Sequence, residues 1–339
     1  MTRTAEPDLL ADPFGEHSSK VLHEEVQLLG GWFRFETQSR ELLRLVQSAY
    51  AGLPRLRLPT TPPRFRIRLV LRAGARPRAR TEPPPLTMLS GAGLLCGTND
   101  WSSFVVLSPN ERAALVVVSP DMLQFGYHTR YELIEFAVFT LASRAQGLVP
   151  LHAACVGRKD QGLLLIGPSG SGKSTVALHC LLQGFDFVSE DSVFVTPHNL
   201  LASGVANFLH VRRDSLRFLT EAAHVSRIRN SPVIRRRSGI RKFEVDLRRA
   251  PFRLASAPLS ITAVIFTSVA RANDGRLLKP LQHPELLAQL RATQPYAANS
   301  AGWKTFTKNL AGVNAFELRR GRHPLEAVRT LQELVASVP

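Results

Sequence analysis

The sequence is poor in the features that mark secreted, metal-binding and membrane proteins. It has 3 cysteines in 339 residues, and their number and spacing argue against a disulfide framework or a cysteine metal site. The best candidate for a membrane span, ELIEFAVFTLA, carries two glutamates and falls well short of the roughly 20 residues that a spanning helix needs. The N-terminus has acidic residues where a secretory signal has basic and then apolar ones. We therefore expect a soluble, cytoplasmic protein with no membrane partner.

Acidic charge is also scarce relative to basic charge. The chain has 43 lysine and arginine residues against 27 aspartate and glutamate residues, which gives a net charge of +16. The arginines are dispersed, without a long polybasic run or interleaved aromatic residues, and this argues against nucleic acid as a partner. An acidic peptide or a phosphate-bearing substrate would suit the same charge.

Length and pattern predict two domains after a loose tail at residues 1–20. Residues 21–146 are predicted to form a small α+β domain, in which GWFRFET and RFRIRLVLR alternate as strands and Ser39 caps a helix. Residues 147–339 change to the strand, loop, helix and strand rhythm of an α/β domain.

Further elements follow from local pattern. The strand RFRIRLVLR turns Arg66, Arg68 and Arg72 outward and therefore predicts a basic face. A proline-rich loop is expected at RPRARTEPPP, a hairpin at FVVLSPNERAALVVVSP and a buried helix at TRYELIEFAVFTLASRAQG. In the second domain we predict strands at GLLLIG, FDFVSEDSVFV, SGVANFLHV, KFEVDL, ITAVIFTSV and NAFELRR, and helices at KSTVALHCLLQG, PELLAQLRAT and PLEAVRTLQELVASV.

One segment, GPSGSGKST, satisfies the phosphate-binding P-loop pattern G-x-x-x-x-G-K-[ST] completely. We refer to this segment as the glycine-rich loop. Its glycines allow a tight turn that points N–H groups at phosphates, Lys173 can reach the β- and γ-phosphates, and Ser174 can offer a hydroxyl to Mg²⁺. The loop follows an apolar strand and opens a helix, whose N-terminus favours an anion. The sequence therefore predicts a site for ATP and Mg²⁺ at Gly167, Pro168, Ser169, Gly170, Ser171, Gly172, Lys173, Ser174 and Thr175.

An acidic pair and a histidine flank this loop in the sequence. Glu190 and Asp191 lie in the strand predicted after the helix, and His152 lies in PLHAACV, predicted as the strand before the loop. Adjacent strand residues point to opposite sides, so we expect one of the two acids to face the phosphate pocket. The roles open to the pair are metal binding and acceptance of the proton of an attacking hydroxyl. His152 is either an active-site residue or a core histidine.

These three segments together resemble the C-terminal domain of HPr kinase/phosphorylase and its HPr-kinase-related relatives. The resemblance covers about residues 148–198 closely. It implies an α/β P-loop kinase domain of the HPr-kinase type, the fold variant shared with phosphoenolpyruvate carboxykinase, preceded by the small α+β domain. It also implies Glu190, Asp191 and His152 as catalytic residues and Ser174, Glu190 and Asp191 as metal ligands. Glu190 stands where the family usually has aspartate.

The activity that this resemblance implies is transfer of the γ-phosphate of ATP to a serine or threonine hydroxyl of a peptide or protein. Two alternatives stay open: a small-molecule hydroxyl kinase on the same fold, and a non-catalytic or slowly hydrolysing nucleotide switch. The acidic pair favours catalysis, because a switch needs no base beside the γ-phosphate. Homo-oligomerisation is left open.

A basic run near the middle of the second domain has two interpretations. It stabilises charge on the transferred phosphoryl group, or it is a solvated charged face, which is the more frequent role of such runs. The residues concerned are Arg235, Arg236, Arg237, Arg241 and Lys242. Asp246 could be a further site acid, although its spacing does not decide this.

Overall fold

The computed structural model describes residues 21–72, 80–99, 102–249 and 252–337. The predicted tail at residues 1–20, and residues 76–79 of the predicted RPRARTEPPP loop, lie outside these ranges. The chain divides into two compact units. Unit 1 comprises the described residues up to Gln27, together with Gly31–Ala51 and Pro62–Ala145; unit 2 comprises Leu28–Gly30, Gly52–Thr61 and the segment that begins at Gln146.

Unit 1 is built on a mixed sheet of seven strands in its described residues, in the order β1-β2-β3-β7-β6-β5-β4. The strands are β1 (Leu22–Leu28), β2 (Gly31–Thr37), β3 (Arg64–Leu71), β4 (Thr87–Gly91), β5 (Leu94–Thr98), β6 (Phe104–Ser108) and β7 (Ala113–Val118). The helices are α1 (Arg40–Tyr50), α2 (Pro120–Leu123), α3 (Gly126–His128), a π-helical segment (Thr129–Glu135) and α4 (Phe136–Gln146).

Three local predictions for unit 1 are confirmed. Ser39 is the N-cap of α1, and its side chain accepts a hydrogen bond from the Leu42 amide, which satisfies one of the unpaired donors at the helix start. Strand β3 buries Phe65 and Ile67 and leaves its arginines exposed, as period-2 alternation requires. Strands β6 and β7 form the predicted antiparallel hairpin.

Unit 2 combines a sheet of nine described strands with a smaller sheet of three. Its strands are β8 (Val149–Leu151), β9 (Ala154–Arg158), β10 (Gln161–Ile166), β11 (Asp186–Ser189), β12 (Val193–Val195), β13 (Leu201–Gly204), β14 (Phe208–Val211), β15 (Val233–Arg235), β16 (Arg241–Asp246), β17 (Leu259–Arg271), β18 (Leu278–Pro280) and β19 (Asn314–Arg320).

The helices of unit 2 are α5 (Lys173–Leu182), α6 (Ala222–Arg229), α7 (His283–Thr293), α8 (Pro295–Ala298), α9 (Trp303–Asn309) and α10 (Pro324–Ala336), with 3-10 turns at Arg213–Phe218, Leu247–Arg249 and Leu310–Gly312. In the part of the chain that the structure describes, no helix has both the length and the apolar character that crossing a bilayer requires.

Strand β10 lies in the middle of unit 2 and is buried on both faces. Leu163 and Leu165 join one core cluster, which includes α5 and α10, while Leu164 and Ile166 join a second cluster on the opposite face. A strand covered on both faces is apolar throughout instead of alternating, which explains the run GLLLI. The α/β class predicted for the second domain is confirmed by this sheet with helices packed against it.

Two predicted strands are each divided into two. FDFVSEDSVFV forms β11 and β12, and Glu190 and Asp191 lie in the bend between them, not on a strand. SGVANFLHV forms β13 in the large sheet and β14 in the small sheet. His152 also lies between strands, after β8 and before β9. In each case apolar residues stand on both sides of the point where the chain changes its pairing partner, so the two strands were predicted as one.

Candidate functional site

Several strands of the large sheet end at one edge, and this sets the position of the candidate site. Strand β10 is parallel to β17, and β17 is parallel to β19. Strand β11 runs in the same direction as β10, because both are antiparallel to β9. Ligands of open α/β sheets bind outside the carboxyl ends of the strands. The glycine-rich loop follows β10 at this edge.

The glycine-rich loop has the backbone conformation that its glycines allow. Gly170 and Gly172 have φ values of +87° and +104°, in the left-handed region that other residues avoid. Gly172 is also the N-cap residue of α5. The amide groups of the first turn of α5 point towards the loop, as they do at the start of any helix. Gly172 has no side chain that could cap them, so they favour an anion there.

The neighbouring strand ends hold the loop in place. The Ser171 hydroxyl is 2.6 Å from the Thr267 hydroxyl, and Thr267 also donates to the Ile166 carbonyl at 3.1 Å. Arg320, the last residue of β19, donates to the Gly170 carbonyl at 2.6 Å. A side chain at Gly167 would overlap Thr267 and Ser171. The loop is therefore fixed by the two strands that run parallel to β10.

Lys173 and Ser174, the loop residues predicted to reach the phosphates and Mg²⁺, both contact Glu190. Lys173 Nζ donates to the Glu190 backbone carbonyl at 2.6 Å, and the Ser174 hydroxyl donates to Glu190 Oε1. Glu190 is almost completely buried. Its second carboxylate oxygen accepts the His210 amide at 3.3 Å. The carboxylate is thus held between the start of α5 and strand β14.

Asp191 faces the same place from the opposite side of the bend. Its Oδ1 lies 3.7 Å from Lys173 Nζ and 3.2 Å from His152 Nδ1, and its Oδ2 accepts from both terminal nitrogens of Arg236 at 3.3 and 3.2 Å. The expectation that only one acid would face the pocket is wrong. Strand alternation does not apply to a bend, so two adjacent acids can both line the same cavity here.

Behind the acids lies His210, a residue that the sequence did not single out. It is buried, its Nδ1 is 3.5 Å from Glu190 Oε2, and its Nε2 is 3.2 Å from Glu244 Oε1. Arg236 is also 3.3 Å from its Nδ1. His210 lay within a predicted strand, and its only signal was a polar residue among apolar ones.

These contacts shift the pKa values of the site. Burial by itself would raise the pKa of Glu190, but the His210 hydrogen bond and the charge of Lys173 outweigh it and hold that pKa well below its usual range. Burial and the neighbouring Glu190 would also raise the pKa of Asp191. The charges of Lys173, His152 and Arg236 outweigh them, so the pKa of Asp191 is lowered. Burial lowers the pKa of His210, and the hydrogen bonds to Glu190 and Glu244 reverse this and raise it. Both acids are therefore ionised at neutral pH.

The loop and the acids line one cavity of about 520 Å³, within the 300–1,000 Å³ range common for small-ligand sites. All the predicted site residues, from Gly167 to Thr175 together with Glu190, Asp191 and His152, lie on its wall. His152 is exposed there, with 61% of its side chain accessible, so it is not a core histidine.

The residues of the basic run fall into two groups, one at the cavity and one in solvent. Arg236 and Lys242 line the cavity, while Arg235, Arg237 and Arg241 are exposed. Burial lowers the pKa of Lys242, and Arg236 lowers it further. Asp246 forms an ion pair with Arg248 at 2.7 Å, and this contact is structural.

The residues that hold the loop were also missed. Thr267 lies two residues before the end of the predicted strand ITAVIFTSV, and Arg320 ends NAFELRR. Their signal was polar residues in the carboxyl-terminal parts of two strands. That signal could be used only with the knowledge that both strands run parallel to β10.

The donor set at the start of α5 suits Mg²⁺. Among the described residues no group of three or more histidine, cysteine, aspartate or glutamate side chains could hold a metal ion. Mg²⁺, however, is commonly bound by one or two protein oxygens, with phosphate and water oxygens completing its shell. The Ser174 hydroxyl and the Glu190 carboxylate are in direct contact, with Asp191 beside them, so the residues fit the ion.

Comparison with known proteins does not identify a family. The sequence matches no protein-family model and no curated protein. Among solved structures, a match is found to the structure of the Hpr(Ser) kinase/phosphatase from Coxiella burnetii, with 12% identity over 55% of this chain and 95% of that one. Its TM-score is 0.30. A likeness this distant decides neither fold family nor function.

Proposed function

We propose that this chain is an ATP-dependent kinase that transfers the γ-phosphate to a serine or threonine hydroxyl of a peptide or protein. The observation that supports the proposal most is the meeting of Lys173, Ser174, Glu190 and Asp191 on the wall of one cavity. Phosphoryl transfer needs a cation on the phosphates, a metal site and a group that positions the nucleophile. The cavity offers a residue for each.

Nucleotide binding falls to the glycine-rich loop. Its backbone N–H groups and the N-terminus of α5 receive the phosphates, and Lys173 bridges the β- and γ-phosphates. Ser174 and Glu190, with Asp191 beside them, would hold Mg²⁺. When bound, the ion neutralises charge on the phosphate oxygens.

The structure favours different roles for the two acids. Glu190 is buried against Ser174 and His210, which suits the metal side of the site. Asp191 is more exposed and lies beside His152 at the cavity wall, where an incoming hydroxyl would arrive. We assign proton acceptance to Asp191 and its orientation to His152. A low pKa at Asp191 is compatible with this role, because the transition state of phosphoryl transfer is loose and positioning matters most.

Arg236 and Lys242 complete the charge at the acidic end of the cavity. Arg236 is held on Asp191 by two hydrogen bonds, so its guanidinium is fixed near the place where the γ-phosphate would lie. A fixed cation stabilises charge on the transferred group without reorganising at the moment of reaction.

The acceptor class is the part of the proposal that rests on sequence features. The resemblance to HPr-kinase-related enzymes implies a hydroxyl on a peptide or protein. In unit 1, Arg66 and Arg68 on β3 are exposed on the face opposite the core. Such a basic face attracts an acidic peptide at low salt and loses this advantage as salt rises.

The test uses ATP labelled at the γ-position. The protein is incubated with Mg²⁺, labelled ATP and either a cell lysate or peptides encoded beside its gene. We expect label in acid-stable, alkali-labile phosphoserine or phosphothreonine, and none with Asp191→Asn. Label confined to a small metabolite would support the small-molecule kinase instead. Label released only as inorganic phosphate would support the nucleotide switch.

A further inference from the structure

The cavity extends beyond the acids to a second end of different chemistry. Its wall there includes apolar and aromatic side chains from four elements: Val176 of α5, Phe218 of the 3-10 turn, Leu318 of β19, and Pro324 and Ala327 of α10. This part is called the aromatic end. The mechanism above uses none of these side chains.

The glycine-rich loop connects the two ends in a fixed order. Lys173 contacts Glu190 and Asp191 at the acidic end. Two residues later, the Thr175 hydroxyl lies 3.0 Å from the Ser215 hydroxyl, and Ser215 belongs to the 3-10 turn Arg213–Phe218. A chain of phosphates whose last member lies at Lys173 therefore has its first member directed towards Thr175 and the aromatic end.

The aromatic end is shaped by a small set of packed rings. The Phe218 ring meets His323 edge to face, with centroids 5.6 Å apart, and the Arg217 guanidinium carbon lies 4.7 Å from the Phe218 centroid. His323 Nδ1 accepts a hydrogen bond from the Leu325 amide at 3.2 Å, which fixes the imidazole at the start of α10. Phe218 remains partly exposed and lines the cavity, so part of its ring is accessible to a ligand there.

We propose that the aromatic end is the nucleobase subsite, in which the base of the bound nucleoside triphosphate packs against Phe218 and the apolar side chains of β19 and α10. The proposal rests on the proposed function, since it requires the phosphates to lie on the glycine-rich loop. A planar base is the part of the nucleotide that an aromatic and apolar wall recognises. Such a subsite also allows this chain to distinguish a nucleotide from inorganic polyphosphate.

The test compares two ligands, MgATP and magnesium tripolyphosphate, by calorimetric titration into three proteins. In Phe218→Ala we expect MgATP affinity to fall about tenfold, in line with the effect of removing an aromatic stacking partner. Tripolyphosphate affinity should change by less than about twofold, because it has no base to lose. Phe252→Ala is the matched control. Phe252 is a partly buried phenylalanine of the same unit, packed on the core, and its removal should weaken neither ligand selectively.

Each other outcome has a defined meaning. Equal loss of both ligands in Phe218→Ala would overturn the subsite, because it would show a structural effect on the loop. Unchanged affinity for both would overturn it as well. If Phe218→Ala does not fold, Phe218→Leu keeps the apolar volume and should lose MgATP affinity selectively, by about threefold. A wild-type chain that binds neither ligand would overturn the phosphate site itself, and the proposed function with it.

Discussion

Two clusters of buried charge, one in each unit, differ in what their charges face. In unit 1, Arg130 pairs with Glu135 at 3.2 Å. His128 pairs with Glu132 at 2.9 Å, and Asn99 donates to the same glutamate at 3.0 Å. All five residues are buried. Each acid there has a partner beside it, and the cluster connects the π-helical segment to the sheet of its own unit.

In unit 2 the charges are arranged differently. Glu190 and Asp191 are adjacent, and Lys173 contacts the backbone carbonyl of Glu190 and the carboxylate of Asp191. His210 and Arg236 complete the contacts of the two acids. The acids, Lys173 and Arg236 also line an open volume of about 520 Å³. Burial and perturbed pKa values are therefore poor markers of function by themselves, because structural ion pairs produce them too. The feature that separates the two clusters is the open volume that the unit 2 charges face.

The largest effect that this comparison predicts is a loss of activity without a loss of fold. Asp191→Asn keeps the shape of the side chain and removes its charge. We expect phosphoryl transfer to fall by about two to four orders of magnitude, the range that a positioned base contributes. The free energy of unfolding should change by about 1 kcal/mol or less, because the loss of the contacts with Arg236 and Lys173 is offset by the loss of repulsion from Glu190. Initial rates and urea unfolding measure the two quantities.

Glu190→Gln is expected to lose activity to a similar extent, through the metal side of the site. Full activity in both amide variants would contradict a functional role for the unit 2 charges. Unfolding of Asp191→Asn would contradict it as well, because the charge would then be structural, as in unit 1.

The opposite behaviour is expected of the unit 1 cluster. Glu135→Gln leaves Arg130 buried beside an uncharged group, and breaking a buried pair costs about 3–5 kcal/mol of stability. MgATP affinity should stay within about twofold of wild type in the folded fraction. The matched control is Glu36→Gln, which removes an ion pair with Arg34 of 2.8 Å at partly exposed side chains. Urea unfolding should show a loss below about 1 kcal/mol for this pair. A Glu135 variant that is stable but inactive would contradict the assignment of unit 1 charge to structure.

A smaller effect concerns pH. The pKa of His210 is raised in the folded state, so its charged form adds stability. That contribution is complete below the unfolded pKa of about 6.5 and is lost as the pH rises through the folded pKa. The stability gap between wild type and His210→Gln should therefore be larger at pH 6 than at pH 9, by about 1 kcal/mol.

The control for the histidine measurement is His224→Gln, at a helix position that pairs with the exposed Glu221. A gap for His210→Gln that widens with rising pH would show that the ring is neutral between its two glutamates.

Much of this architecture follows from local sequence. The alternation of β3, the Ser39 cap and the apolar strand before Lys173 each rest on a few neighbouring residues, and each was predictable. The site residues Thr267, His210 and Arg320 were not, because they come from strands far along the chain. They meet the loop only through the order of the sheet. The bend at Glu190 and Asp191 was hidden for a related reason, since the apolar pattern continues on both sides of it.

Whether the cavity at the end of β10 is a nucleotide site can be measured by calorimetric titration of MgATP into wild type and Lys173→Ala. Lys279→Ala, at an exposed lysine on β18, serves as the control. We expect binding to the wild type and to the control, and affinity at least about tenfold weaker in a folded Lys173→Ala, because the cation that bridges the phosphates is lost. Equal MgATP affinity in all three proteins would contradict a nucleotide site in this cavity.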